Sequence, residues 1–513
     1  MNSFTRYHKD VIHMDVKMKG CMTRLAQIVL LSIASCANGQ ALEYLSVDEI
    51  SKEMERGQLS AEALVQHLLQ RVDRLDKNGP GINAIIELNP DALAIARSLD
   101  RERETGHVRG PLHGIPLLLK DNIDTSDQMQ TTAGSMAMIG QPAAKDAFIV
   151  QRLRAAGAII LGKTNLSEWA NFRDAALPDG WSGRGGQTRN PHLLSQTPCG
   201  SSSGSGAAVA AGFAPLSVGT ETAGSIVCPA SLNGVVGLKP TVGLLSRSGI
   251  VPVTHKIDTP GPMARTVRDA ALLLNAMTGN DAADPVSKPQ ALNGLDYTAL
   301  LRPGSLVGRR LGYPLKFDVS GEAAQGDPQF SRALEVMQAA GATMIPIELN
   351  DPQSAQVDEA LSMGIKRHLP DYLAKRTGLA IQSLEDLVRF NQHTPGVEGH
   401  GQSVLIAAND VAFDQRTYEQ LWQTIQRENA AVIDDVLARH QLDAVVLDVG
   451  SPGLNIVPLA GYPSVMMPTG ADEEGLPTSA LFFGARWSEA SLLALAYGYE
   501  QASHARPIPA FRP

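Results

Sequence analysis

Several residue classes are scarce in this sequence, and each scarcity excludes a class of protein. Aromatic residues make up 5% of the 513 residues, and no basic run with interleaved aromatics occurs, so nucleic-acid binding is not expected. The 44 Lys and Arg against 53 Asp and Glu give a formal charge of −9, which agrees with that exclusion. Four cysteines do not indicate a disulfide framework. Internal repeats and low-complexity tracts are missing as well, which excludes a solenoid.

Long apolar runs are also missing, with one short exception near the N-terminus. Residues 17–41 begin with a basic stretch, continue with an apolar run over 25–34 and end in small residues. This is the pattern of a secretory signal peptide. The run is too short to span a bilayer as a helix, which needs roughly 20 apolar residues.

We therefore expect residues 1–37 to form a signal segment, with cleavage after Ala37 or with lipoprotein-type anchoring at Cys36. The protein would then be exported, either periplasmic or secreted, without stable membrane insertion beyond the signal or the lipid anchor. The competing interpretation is a disordered or misassigned N-terminus, with translation starting at Met14 or Met18.

The remainder of the chain alternates between helical and strand-like patterns. Short apolar runs at 117–119 and 158–161 are bounded by Pro, Gly and Lys, as in strands buried on both faces. A helical pattern over 147–156 separates them, and runs at 444–447 and 481–484 repeat the strand pattern. The alternation predicts an α/β fold with a mixed central β-sheet covered by helices on both faces.

Two serine motifs could carry chemistry. Residues 197–212 place three consecutive hydroxyls, from Ser201 to Ser203, between glycines and before an Ala-rich helix. A flexible linker has a similar composition, but the helix that follows favours a buried turn. In the second motif, Ala223 and Gly224 precede Ser225, so that successive N–H groups can point at one spot, as an oxyanion hole requires.

A serine nucleophile needs a base, and the histidines do not supply an obvious one. Of the 12 histidines only His113 lies in a motif-like setting, and no Asp or Glu completes a triad with it. Lys120 ends the apolar run 116–119, where burial could leave a neutral amine able to accept a proton. Its ordinary pKa is about 10.4, so a large depression is required. From the residues alone, a snorkelling or ion-paired lysine is the more common interpretation.

The motifs together resemble those of the amidase signature family. The resemblance extends over residues 45–509, which we expect to form one amidase domain. It is weakest over 280–440, which we interpret as a variable helical region. The segments that carry the resemblance are 114–122, 162–169, 197–212, 219–226, 234–241 and 460–464.

The resemblance implies a Ser-cisSer-Lys triad and an acyl-enzyme. Ser225 matches the nucleophile, Lys120 the general base, and Ser201 the bridging serine, whose peptide bond is cis in the family. No metal or cofactor is implied. The backbone N–H groups that would form the oxyanion hole belong to Thr222, Ala223, Gly224 and Ser225.

The substrate class is suggested by residues around the motifs. Residues 226–230 and 169–173 are similar to those of bacterial peptide amidases, which release ammonia from C-terminal peptide amides. We therefore expect a small-molecule or peptide amide as substrate. The alternatives are a broad small-amide hydrolase, the A component of a glutamine-dependent amidotransferase with partner proteins, and a non-catalytic binding protein.

Two of the four cysteines, Cys199 and Cys228, flank the serine motifs. A bridge between them is conceivable, but small buried thiols are the more common arrangement. The sequence cannot supply the distance and direction that a disulfide needs.

Overall fold

The computed structural model describes residues 41–287, 294–315, 327–350, 352, 356–396, 400–448, 451 and 453–513. The chain divides into two compact units, Met1–Leu45 and Ser46–Pro513. In the first unit the described residues include one 3₁₀ turn, Leu42–Tyr44. The predicted signal segment, residues 1–37, lies outside the described residues. The sheet and the candidate site belong to the second unit.

The second unit is built on an 11-stranded sheet, with a separate two-stranded ribbon formed by β4 and β5. Its strand order is β1-β3-β2-β6-β8-β7-β12-β13-β11-β9-β10. The strands are β1 Ile85–Leu88, β2 Pro116–Lys120, β3 Ile159–Thr164, β4 Trp181–Ser182, β5 Gly186–Gln187, β6 Leu216–Glu221, β7 Val236–Lys239, β8 Thr259–Ala264, β9 Arg310–Pro314, β10 Thr343–Ile347, β11 Ala444–Asp448, β12 Ser464–Ala471 and β13 Pro477–Phe483.

The sheet is mixed, which confirms the predicted fold class. Strands β3, β2 and β6 run parallel to one another, as do β11, β9 and β10. The strands between these groups pair antiparallel, from β6 through β8, β7 and β12 to β13 and β11. Each of the four predicted strand runs lies within a sheet strand or within one residue of its end.

Fourteen α-helices surround the sheet in the described part of the chain. Every residue of β2, β3 and β6 is buried, and because side chains alternate between faces, both faces of the sheet must be covered. The helices are α1 Val47–Glu55, α2 Ala61–Val72, α3 Ala92–Glu104, α4 Phe148–Ala155, α5 Ser203–Ala210, α6 Val227–Leu232, α7 Val267–Met277, α8 Pro328–Ala339, α9 Val357–Leu373, α10 Leu384–His393, α11 Ser403–Asp410, α12 Gln415–His440, α13 Ile456–Ala460 and α14 Glu489–Ser503.

The region predicted as helical, 280–440, contains α8 to α12 in its described residues. It also contributes β9 and β10 to one edge of the sheet, a contribution that its helical pattern did not reveal. Both strands are short, and β10 is only partly buried, so neither shows the continuous apolar run of a central strand. None of the described helices is long and apolar enough to cross a membrane.

A disulfide joins Cys199 to Cys228, with their Cα atoms 5.8 Å apart. This corrects the interpretation of the two cysteines as buried thiols. The correction depends on α6, which places Cys228 beside the loop that carries Cys199, although 29 positions separate the two residues in sequence.

Candidate active site

The candidate site lies at the carboxyl ends of β2 and β6, two neighbouring parallel strands in the interior of the sheet. Strands β2 and β6 pair in register from Leu117 with Leu216 to Leu119 with Val218. Parallel strands that pair in this way bring their carboxyl ends to the same edge. Lys120 is the last residue of β2, and Thr220 and Glu221 are the last residues of β6. Ligand sites in α/β sheets commonly occur at such an edge.

Lys120 is fully buried, and its ammonium nitrogen is surrounded by neutral oxygens. Its Nζ lies 2.8 Å from Ser201 Oγ, 3.0 Å from Thr220 Oγ1 and 3.2 Å from the Thr220 carbonyl oxygen. No carboxylate of the described residues forms a direct ion pair with it. Burial without a directly bonded counter-charge disfavours the ammonium form.

Burial is the main cause that lowers the pKa of Lys120 to about 7, from an ordinary value of 10.5. The negative charges of Glu221 and Asp258 act in the opposite direction and keep the pKa from falling further. A lysine with a pKa near neutrality is a competent general base at physiological pH, because a substantial fraction of it is the neutral amine.

The loop that carries Ser201 is held close to the sheet. The Gly200–Ser201 peptide bond is cis, and Ser201 is fully buried. A Cβ atom on Gly204 would lie 2.3 Å from the Ala84 carbonyl oxygen, so only glycine permits this approach. The Ser202 N–H donates to the Ser225 carbonyl at 3.1 Å, which ties this loop to the second serine motif.

The second motif forms a turn between β6 and α6 that leaves backbone donors unused. Glu221 Oε2 accepts from the N–H groups of Ile226, at 2.6 Å, and Val227, at 3.0 Å. Within the described residues, by contrast, no hydrogen-bond acceptor is paired with four N–H groups of this turn. They are those of Thr222, Ala223, Gly224 and Ser225.

The turn is open on its outer side. Gly224 has φ +82°, and a Cβ built on it has no atom within 4 Å, so the space in front of it is free. Ser225 is 6% exposed, whereas Lys120 and Ser201 are 0% exposed. The serine is therefore the member of this group that a molecule from solvent can reach first.

Asp258 stabilises the turn between β6 and α6 through hydrogen bonds. Thr222 Oγ1 donates to its Oδ1 at 2.7 Å, and the backbone N–H groups of Val253 and Thr254 donate to its Oδ2, each at 2.8 Å. Burial raises the pKa of Asp258 to about 6. The carboxylate thus links the turn to the loop that precedes β8.

Sequence reasoning placed Lys120, Ser201 and Ser225 in one site, and the structure brings Lys120 and Ser201 into contact. Sequence reasoning did not assign a role in the site to Thr220, Glu221 or Asp258. Thr220 and Glu221 lie in the family-like segment 219–226, but their place beside Lys120 follows from the pairing of β2 with β6. No group of three or more His, Cys, Asp or Glu within the described ranges could hold a metal ion.

Comparison with known proteins identifies the family. The family model described as Amidase matches residues 63–450, which is most of the chain. The chain belongs to the amidase family. It is an amide-hydrolysing enzyme of the amidase signature type, as the sequence motifs predicted.

Individual proteins, from solved structures and from curated sequences, are also similar to this amidase. It is similar to the crystal structure of the peptide amidase from Stenotrophomonas maltophilia, with 45% identity, a TM-score of 0.86, and coverage of 92% of this chain and 100% of that one. A probable amidase of Arabidopsis thaliana is 36% identical over 95% of this chain and 96% of its own length. The A component of the glutamyl-tRNA(Gln) amidotransferase of Acinetobacter baumannii is 32% identical over 90% of this chain and 96% of its own length.

Proposed function

We propose that this amidase hydrolyses C-terminal peptide amides through Ser225, Ser201 and Lys120, and that it releases ammonia. The observation that carries the mechanism is the 2.8 Å contact between a fully buried Lys120 Nζ and Ser201 Oγ. A base that is buried, close to neutral pKa and bonded to a serine hydroxyl has the properties needed to start a proton relay.

In the first half-reaction, neutral Lys120 accepts the Ser201 proton while Ser201 accepts the Ser225 proton. Ser225 Oγ forms a bond to the amide carbonyl carbon, and the oxygen of that carbonyl becomes negatively charged. The unused N–H groups from Thr222 to Ser225 donate to this oxygen. Collapse of this tetrahedral intermediate breaks the C–N bond. The relay returns its proton to the departing nitrogen, which leaves as ammonia.

In the second half-reaction, water attacks the acyl-enzyme. The relay takes one proton from the water, and the new C–O bond displaces Ser225, which recovers its proton. The products are the peptide acid and the free enzyme in its starting protonation state. Glu221 takes part without reacting, since its carboxylate holds the N–H groups of Ile226 and Val227 and so fixes the turn next to the nucleophile.

The substrate class is supported by similarity over the whole domain. The Stenotrophomonas maltophilia protein is a peptide amidase by name, and its entire chain aligns with this one. The amidotransferase component is less similar to this chain. We therefore favour a peptide amide over glutamine as the ammonia source.

The test is ammonia release from a C-terminally amidated dipeptide. We expect release by the parent enzyme and a loss of at least about 10³-fold in kcat/KM for Ser225→Ala and Lys120→Met. Ser231→Ala serves as the matched control. Ser231 is a buried serine on α6, hydrogen-bonded to Ser479 Oγ at 2.6 Å, and lies outside the site.

Two outcomes would change the proposal. Retained activity in Ser225→Ala would refute the mechanism. Absence of ammonia release, with a fluorophosphonate still labelling Ser225, would retain the serine hydrolase and reject the peptide-amide substrate. In that case small aliphatic and aromatic amides test the broad amidase alternative, and glutamine tests the amidotransferase alternative.

We also propose that the protein is exported, because its N-terminal residues match a signal peptide. Cell fractionation and the mass of the mature protein test this. A start at residue 38 supports secretion, a lipid-modified Cys36 at the N-terminus supports anchoring, and an unprocessed cytoplasmic chain refutes the proposal.

A further inference from the structure

The Cys199–Cys228 disulfide joins the two segments between which the proposed proton relay passes. Cys199 belongs to the loop that carries Ser201 and lies two positions before it. Cys228 lies in the first turn of α6, three positions after Ser225. Both serines are therefore inside the chain segment that the bridge closes, and the bridge restrains the distance between their two segments.

Hydrogen bonds join the same two segments on either side of the bridge. The Ser202 N–H donates to the Ser225 carbonyl oxygen at 3.1 Å. Asn233 Nδ2 donates to the carbonyl oxygens of Pro198, at 2.8 Å, and Pro229, at 2.7 Å. A hydrogen bond contributes little net free energy, because water competes for both of its partners. The disulfide is the covalent link in this set, so it limits the fluctuation of the two segments most strictly.

The backbone of Cys199 is held in a conformation that it would not adopt by preference. Its φ is +55°, in the left-handed region that residues with a Cβ atom avoid, and such a residue persists only where its surroundings fix it. The next residue, Gly200, is packed so closely that a Cβ atom on it would lie 2.3 Å from Ser167 Oγ. Ser201 follows directly. If the Cys199 sulfur is released, this residue can return to negative φ, and the rotation moves the peptide units that position Ser201 Oγ.

The bridge lies close to solvent, although the base and the bridging serine do not. Cys199 is 8% exposed and Cys228 is partly exposed, whereas Lys120 and Ser201 are fully buried. Thiol–disulfide exchange begins with the attack of a thiolate on one sulfur, so its rate depends on access to that sulfur. A small dithiol can therefore reach the bridge of the folded enzyme without opening the core.

We propose that the Cys199–Cys228 disulfide positions Ser201 against Ser225, and that reduction of this bridge converts the folded enzyme to a form of low activity. Each cysteine sulfur gains one electron and one proton from a dithiol, whose own two sulfurs become a disulfide. A displacement of about 1 Å between reacting groups can lower a rate about 100-fold. The enzyme is then fully active only where disulfides persist, as in an oxidising compartment. This inference rests on the proposed function, because it concerns the step in which the proton passes from Ser225 to Ser201.

The experiment compares the oxidised full chain with the same chain reduced by dithiothreitol, well below the melting temperature of either form. Two readouts are measured: kcat and KM for ammonia release from a C-terminally amidated dipeptide, and the rate of Ser225 labelling by a fluorophosphonate. We expect kcat and the labelling rate to fall at least about tenfold on reduction, with KM changed less than about threefold, because the relay is disturbed and not substrate binding. Both rates should recover on reoxidation.

Cysteine variants assign the effect to this bridge. Cys199→Ser/Cys228→Ser should have the low rates of the reduced parent, with or without dithiothreitol. Cys21→Ser/Cys36→Ser removes the other two cysteines of the chain and should respond to dithiothreitol like the parent. Leu68→Ala, buried on α2, is the control for lost stability. It should lower the midpoint of urea denaturation as the open bridge does, yet keep the parental kcat.

Circular dichroism establishes whether the reduced enzyme and each variant are folded. Equal kcat and equal labelling rates in the oxidised and reduced forms would overturn the inference, as would an unfolded reduced form or an equal loss of kcat in Leu68→Ala. An oxidised parent that is labelled at Ser225 but releases no ammonia would reject the peptide-amide substrate alone, and the labelling rates would still decide the role of the bridge.

Discussion

The pKa of Lys120 gives the sharpest test of the mechanism. The structure lowers it from 10.5 to about 7. At pH 7 an ordinary lysine is neutral in about one molecule in 3,000, whereas Lys120 is neutral in about half. Burial therefore increases the population of the reactive amine by about three orders of magnitude, which is comparable to the whole contribution of a general base.

The sign of the pH dependence follows from which form reacts. The base must be neutral, so kcat/KM rises with pH and levels off above the pKa of Lys120. We expect the acid limb of the profile to have a midpoint near 7 and the slope of a single proton. The assay is ammonia release from an amidated dipeptide at subsaturating substrate, because kcat/KM reports the free enzyme.

Asp258 is the nearby group that could be confused with Lys120, since its pKa is about 6. Asp258→Asn separates the two, because an acid limb that belongs to Lys120 persists in this variant and moves to lower pH, since the Asp258 charge raises the pKa of Lys120. A profile that is flat from pH 5.5 to 8.5, or a Lys120→Met variant with parental activity, would refute the assignment of Lys120 as the base.

Three further predictions follow from contacts around the site. Glu221→Gln removes a negative charge that raises the pKa of Lys120, so the acid limb should move to lower pH. Opening the Cys199–Cys228 bridge, which closes a loop with a separation of 29 residues, should lower the free energy of unfolding by about 3–4 kcal/mol, measured by urea denaturation. Gly224→Ala should lose about 1 kcal/mol of stability because of its positive φ, and should lose at least about tenfold in kcat/KM because the methyl enters the space before the oxyanion donors.

Each of these three has its own control. Glu53→Gln, on α1, should leave the pH profile unchanged, and a Glu221→Gln limb that moves to higher pH would contradict the electrostatic argument. The Cys199→Ser/Cys228→Ser variant should have the same free energy of unfolding as the parent in dithiothreitol. If both are as stable as the oxidised parent, the loop-entropy argument is contradicted. Gly57→Ala has a similar φ of +68° and open space, so it should lose stability without losing activity.

Local sequence was sufficient to predict the strands and turns whose residue pattern is distinctive by itself. The buried run before Lys120 predicted β2 because a strand covered on both faces is apolar throughout. Ser46 and Ser60 precede α1 and α2 and cap them, in keeping with the preference for serine at the N-cap position. The glycines around Ser201 favoured a buried turn, and Gly204 shows the close backbone approach that this turn requires.

The sequence by itself therefore determined the fold class, the amidase family and the residues at which chemistry was expected, because strand and turn signals are local. Only the tertiary structure decided what surrounds those residues. Strand pairing placed Thr220 and Glu221 beside Lys120, and α6 brought Cys228 to Cys199. The pKa of Lys120 depends on burial by segments that are distant in sequence. The residues next to Lys120 cannot predict how completely those segments exclude water.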